Sequence, residues 1–86
     1  MALSITYPDK IIAGLWHSLT VTSEAGPPEG DVLLDGKPLE RRIIPMRAPL
    51  WKITFLVAKE GAGKPLVVKL RNPAAALEET KTVDAG

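Results

Sequence analysis

Between Trp51 and Leu70, apolar residues return at every second position. Trp51, Ile53, Phe55 and Val57 form one series, with Lys52 and Thr54 between them. Leu66, Val68 and Leu70 form a second, opposed by Val67, Lys69 and Arg71. A period of two marks a strand with one face in a core and one face in solvent. Lys59-Glu60-Gly61-Ala62-Gly63-Lys64-Pro65 separates the two series. Its glycines suit a turn, so the pair is expected to form a long antiparallel hairpin.

The rest of the chain follows the same pattern. Leu3 to Tyr7 alternates and stops at Pro8, and Asp9 to Gly14 reads as a turn with a short apolar contact. Leu15 to Thr22 alternates again. Leu15, His17, Leu19 and Val21 share one face, and Trp16, Ser18, Thr20 and Thr22 share the other. Ser23 to Gly30 is a loop by composition. Asp31 to Leu34 is a short strand closed by Asp35-Gly36, a strong hairpin signal. Pro38 delays the next strand to about Leu39, and Pro45 ends it after Ile44. Pro45 and Pro49 make the following connection irregular. Ala74 to Glu79 reads as a loop, with a helical turn as the alternative suggested by its Ala, Leu and Glu. Thr80 to Val83 is the last strand.

About seven short strands and no long helix predict an all-β, seven-stranded immunoglobulin-like antiparallel β-sandwich, with a small β-barrel as the alternative. The 86 residues suit a single domain spanning 1–86. A chain of this size buries roughly 60–65% of its unfolded surface, so one core is feasible but marginal. There is no cysteine, so packing must stabilise the fold without disulfides.

Asp31-Val32-Leu33-Leu34-Asp35-Gly36-Lys37-Pro38-Leu39 resembles the middle-strand segment of bacterial immunoglobulin-like modules, which share the sandwich with fibronectin-III-like domains. Ala62 to Leu70 is similar to their penultimate strand and Thr80 to Val83 to their last. The resemblance implies a spacer or binding unit of a larger cell-surface or secreted protein. Two features depart from it: there is no inter-sheet cysteine pair, and Tyr7 is far from the place of a tyrosine corner.

Charge narrows the partners. Eleven basic residues against ten acidic ones give a net charge of +1, too little for a dedicated nucleic-acid binder. No run approaches the ~18 apolar residues of a membrane span, and residues 1–12 lack the apolar core of a signal peptide. The compartment expected is therefore extracellular or cell-surface for a domain of a larger protein, and cytoplasmic for a complete chain.

Catalytic chemistry finds few groups. His17, the single histidine, falls in phase with core residues, where a structural role is expected rather than that of a base. One histidine without cysteine falls short of zinc ligand sets, and no cofactor is expected. Glu29, Asp31 and Asp35 would form a calcium site only if their loops converged. Glu78 and Glu79 are adjacent, so on a strand they would point to opposite faces. Gly61-Ala62-Gly63-Lys64-Pro65 lacks the spacing of a phosphate-binding loop.

Contact chemistry is better served. Trp16 is out of phase with the core series and is expected at the surface, where an indole can anchor a protein or stack on a sugar. Trp51 is expected in the core with one edge at the rim. A carbohydrate-binding face would combine Trp16 with Trp51 and Tyr7. Arg41, Arg42, Arg47 and Lys52 with Trp51 nearby make a candidate basic-aromatic surface for a polyanion. The function expected is a non-catalytic interaction or spacer module, with a protein or a neighbouring domain as partner. The alternatives are polysaccharide binding and a homo-oligomer joined at strand edges or an apolar patch.

Overall fold

The computed structural model describes residues 3–85. Two four-stranded antiparallel sheets pack face to face as an immunoglobulin-like sandwich. The strands are β1 (Leu3–Thr6), β2 (Trp16–Ser23), β3 (Glu29–Leu34), β4 (Lys37–Pro38), β5 (Arg41–Pro45), β6 (Leu50–Leu56), β7 (Pro65–Arg71) and β8 (Ala76–Thr82). One sheet has the order β1-β2-β6-β5 and the other β4-β3-β7-β8. The described residues thus form eight strands rather than seven, in two separate sheets rather than a barrel.

Alternation places the core as expected. Leu19, Val21, Ile53, Phe55 and Val57 face inward from the first sheet, and Val32, Leu34, Leu66, Val68 and Leu70 from the second. Ile11, from the β1–β2 connection, and Val83, just after β8, close the same core. Each side chain buried in this way contributes about 1.5–3 kcal/mol relative to exposure, and together they oppose the chain entropy.

The expected hairpin between Trp51–Val57 and Leu66–Arg71 is not formed. β6 pairs with β2 and β5, whereas β7 pairs with β3 and β8. The glycine-rich segment carries a 3₁₀ turn at Lys59–Gly61 and takes the chain from one sheet to the other. Its end extends the β7–β8 pairing: Gly63 donates its N–H to the Val83 carbonyl at 2.8 Å, and Val83 donates to the Lys64 carbonyl at 3.1 Å.

Three other boundaries differ from expectation. β3 starts at Glu29, so part of the expected loop is strand. Pro38 lies within β4, opposite Leu33, and the next strand starts at Arg41. Pro38 is tolerated because β4 is a two-residue edge. Ala76–Thr82 is one continuous strand, replacing both the expected loop and the shorter terminal strand.

The open sides of the sandwich are closed by side chains and by a chain crossing. After β1 the chain passes to the other sheet, where Ile12 forms a parallel bridge with Asp84. Arg41 spans the opposite side, between β5 and β3. At the loop end, Asn72 donates to the Ser23 hydroxyl and accepts from the amides of Ala74 and Ala75. Ser23 in turn donates to the Gly26 carbonyl.

Candidate interaction surface

The register of β2, β6 and β5 determines what the first sheet shows to solvent. Trp16 lies opposite Leu56, Ser18 opposite Thr54, and Thr20 opposite Lys52. On the other flank Arg42 lies opposite Thr54 and Ile44 opposite Lys52. All these side chains point away from the core, because their neighbours Leu19, Ile53 and Phe55 point into it. Glu40 precedes β5 by one residue and keeps the phase of Arg42.

Trp16 is 66% exposed and Leu56 is 45% exposed. Leu15, just before β2, is 50% exposed rather than in the core as its phase with Leu19 and Val21 suggested, because it lies beyond the end of the strand. Cross-strand neighbours on one face lie about 5 Å apart, so the indole and Leu56 form a single apolar patch at the end of the sheet. Beside it is an open groove of about 290 Å³ lined by Trp16, Glu40, Arg41, Arg42 and Thr54. The Ser18 and Thr54 hydroxyls lie 3.3 Å apart and share a hydrogen bond on the same face, next to the indole. An exposed indole beside a polar groove is the composition of a contact surface, where an aromatic anchor is flanked by charged and hydroxyl groups.

The other candidate residues are placed elsewhere. Trp51 is on the inner face, half-buried against the core and opposite Val21 and Pro45. Arg41 also faces inward; its guanidinium donates to the Gly30 carbonyl and lies 3.5 Å from Asp31 Oδ1. Arg47 is exposed in the tight connection between β5 and β6, where its carbonyl accepts from Leu50 at 2.8 Å. The basic residues and Trp51 therefore do not share a surface: Arg41 and Arg42 line the groove beside Trp16, Arg47 lies in the β5–β6 connection, and Trp51 packs against the core.

Tyr7 lies at the open side of the sandwich, between the end of β1 and β8. Its hydroxyl is shielded from solvent without a well-formed hydrogen bond. The Lys81 ammonium sits 4.6 Å from the ring centroid, a cation–π contact. Burial first, and then the nearby Glu79 carboxylate, hold the phenol pKa well above its usual value. Tyr7 and Trp51 thus pack against the core while Trp16 faces solvent, and among the described residues the three rings form no common platform.

His17 is half-buried, with Nε2 2.9 Å from both the amide nitrogen and the carbonyl oxygen of Ile12. Its ring leans on Phe55, with centroids 6.2 Å apart. The imidazole thus fixes the loop that crosses between sheets. Glu78 and Glu79 do point to opposite faces, on β8 rather than in a loop. Among the described residues no group of three or more His, Asp or Glu side chains is placed to hold a metal ion. No helix among them is long and apolar enough to cross a membrane.

One feature that sequence reasoning missed is the groove partner of Trp16. Arg42 and Glu40 are adjacent to it only through the β2–β6–β5 pairing, and alternation assigns faces without neighbours. The signal available was the shared outward phase of Trp16, Thr54 and Arg42.

No family model matches the sequence, and no curated protein matches it. Among solved structures, the crystal structure of the Lin-41 filamin domain superposes with a TM-score of 0.79, covering 98% of this chain and 93% of that one. The two are 12% identical, so the likeness is one of fold.

Proposed function

We propose that this chain is a non-catalytic contact module whose working surface is the outer face of the β2–β6–β5 sheet around Trp16. The observation that carries this reading is the 66% exposure of Trp16 beside Leu56 and the Arg42–Glu40 groove. Large aromatic side chains are normally drawn into packing, and an indole left out on a flat sheet face is a ready anchor for a partner. The immunoglobulin-like sandwich is a scaffold whose functions reside in its faces and loops, so the reading rests on this face and not on the fold.

A protein partner is favoured over a polysaccharide. Among the described residues Trp16 is the one exposed indole or phenol ring, because Trp51 and Tyr7 both pack against the core. An accessory module of a larger surface or secreted protein would use this same face.

The test is photo-crosslinking in the cells that make the protein. A benzophenone side chain placed at Ser18 lies on the Trp16 face, and one at Thr80 lies on the outer face of the other sheet. Discrete protein adducts from Ser18 and none from Thr80 are expected. Equal labelling from both positions, or none from Ser18, would overturn the proposal.

A further inference from the structure

The Trp16 face carries its two groove charges in a self-complementary order. Glu40 and Arg42 both line the groove, one residue apart in phase on the same strand flank. Neither makes an ion pair within the chain among the described residues; Arg41, their neighbour, is already engaged by Gly30 and Asp31. The apolar Trp16–Leu56 pair is followed along the sheet by the small, polar Ser18–Thr54 pair. A bulky row thus lies next to a low one.

We infer that the partner of this face is a second copy of the same chain, in a two-fold dimer formed through the outer β2–β6–β5 surface; the inference rests on the contact reading above. The two-fold axis lies between the facing sheets, across the strands and midway between the Trp16–Leu56 and Ser18–Thr54 rows. Such an axis brings each row against the other row of the second copy. Trp16 then covers Ser18 and Thr54 of the facing copy, entering its groove. Glu40 meets Arg42 of that copy, and the same pair forms again on the other side of the axis. Each indole fills the low ground that the other copy offers, and both unpaired charges find a counter-ion. Water leaving the indole and Leu56 drives the association, while the two ion pairs fix its register.

The contact is small. A stable dimer interface buries about 800 Å² per partner, a large part of one face of a domain whose whole accessible surface is 5313 Å². The dimer is accordingly expected to be concentration-dependent, assembling between about 10 µM and about 1 mM.

Sedimentation equilibrium over that range tests it. The parent chain should move from 9.2 kDa toward twice that mass. Glu40→Arg alone and Arg42→Glu alone each place like charges against each other and should hold the mass at the monomer value. Mixing the two single variants restores opposite charges at both contacts and should restore the dimer. A parent that stays monomeric throughout, or a dimer indifferent to Glu40→Arg, would overturn the inference. Crosslinking from Ser18 separates this failure from that of the wider reading. Adducts of twice the chain's own mass support the dimer. Adducts only with other proteins, or with glycans, overturn the second copy while leaving a contact face. Absence of any adduct overturns both.

Discussion

Arg41 and Gly30 belong to different sheets, yet the Arg41 guanidinium donates from Nε at 2.8 Å and from a terminal nitrogen at 2.5 Å to the Gly30 carbonyl. β4 covers only Leu33 and Leu34 of β3, so the earlier part of that strand is an edge. A long cation from the edge strand β5 reaches inward and satisfies it. An inward-pointing charge on an edge strand also discourages pairing with another chain's edge. Glu79 and Lys81 occupy inward positions on the edge strand β8, opposite Val68 and Leu66, so both sheets use this device.

Removing the Arg41 clamp should loosen one side of the sandwich. Hydrogen bonds from a charged donor contribute about 1.5–3 kcal/mol, and partial exposure places the cost of Arg41→Ala near the lower end. Arg41→Lys keeps the charge but loses the planar fork, so it should recover only part. Urea unfolding measures both. A midpoint unchanged in Arg41→Ala would show that the carbonyl is served equally well by water.

Gly30 has a second constraint. Its φ is +148°, and a Cβ there would stand 1.8 Å from the Lys69 carbonyl oxygen. A side chain would have to push β3 away from β7, between the Gly30 and Leu70 positions that pair there. Backbone strain and overpacking each cost about 1–3 kcal/mol, so Gly30→Ala should lose about 3 kcal/mol or more. Circular dichroism during thermal unfolding should show a lowered midpoint or no folded baseline. A melting curve like the parent's would mean that β3 and β7 can separate here without penalty.

Tyr7 links stability to alkaline pH. Its pKa is raised in the folded state by burial and then by Glu79, so the folded chain holds the phenolic proton more tightly than the unfolded one. The resulting stability is complete below the unfolded value of about 10 and is lost as pH rises from there toward the folded value. Tyr7→Phe should remove this alkaline loss. Near pH 7 it should leave stability unchanged or raise it by up to about 1 kcal/mol, because the hydroxyl is buried without a well-formed hydrogen bond. Unfolding free energies at pH 7 and pH 10.5 for both proteins measure the difference. Parallel declines in the two would locate the pH dependence in other groups.

What the chain discloses in advance depends on what alternation encodes. Trp51, Ile53 and Phe55 announce an inward face, and Trp16 and Thr54 an outward one, since the side-chain period is two. Which strands become neighbours is not written in that pattern. β6 and β7 look like hairpin partners because a glycine-rich segment joins them. They are parted because Gly61 packs under Leu34, where a Cβ would come within 2.6 Å of Leu34 Cδ2, and Gly63 is tied to Val83. β8 was legible only at its end. Its Glu78, Glu79 and Lys81 belong to the composition of a loop or helix, and they are tolerated in a strand that lies at an edge. The Trp16 anchor was legible from phase, whereas its groove required the β2–β6–β5 order. Arg41 shared a basic run with Arg42, and the inward phase of β5 separates the two.

The central claim is that Trp16 serves contact and Trp51 serves packing, and paired alanine substitutions test it most directly. Equilibrium unfolding of Trp16→Ala should stay within about 0.5 kcal/mol of the parent, as for an exposed surface change, while adducts from the Ser18 crosslinker disappear. Trp51→Ala, which removes a half-buried ring from the core margin, should lose about 2–3 kcal/mol. A loss for Trp16→Ala as large as that for Trp51→Ala, with crosslinking from Ser18 unaltered, would make Trp16 a packing residue and contradict the account.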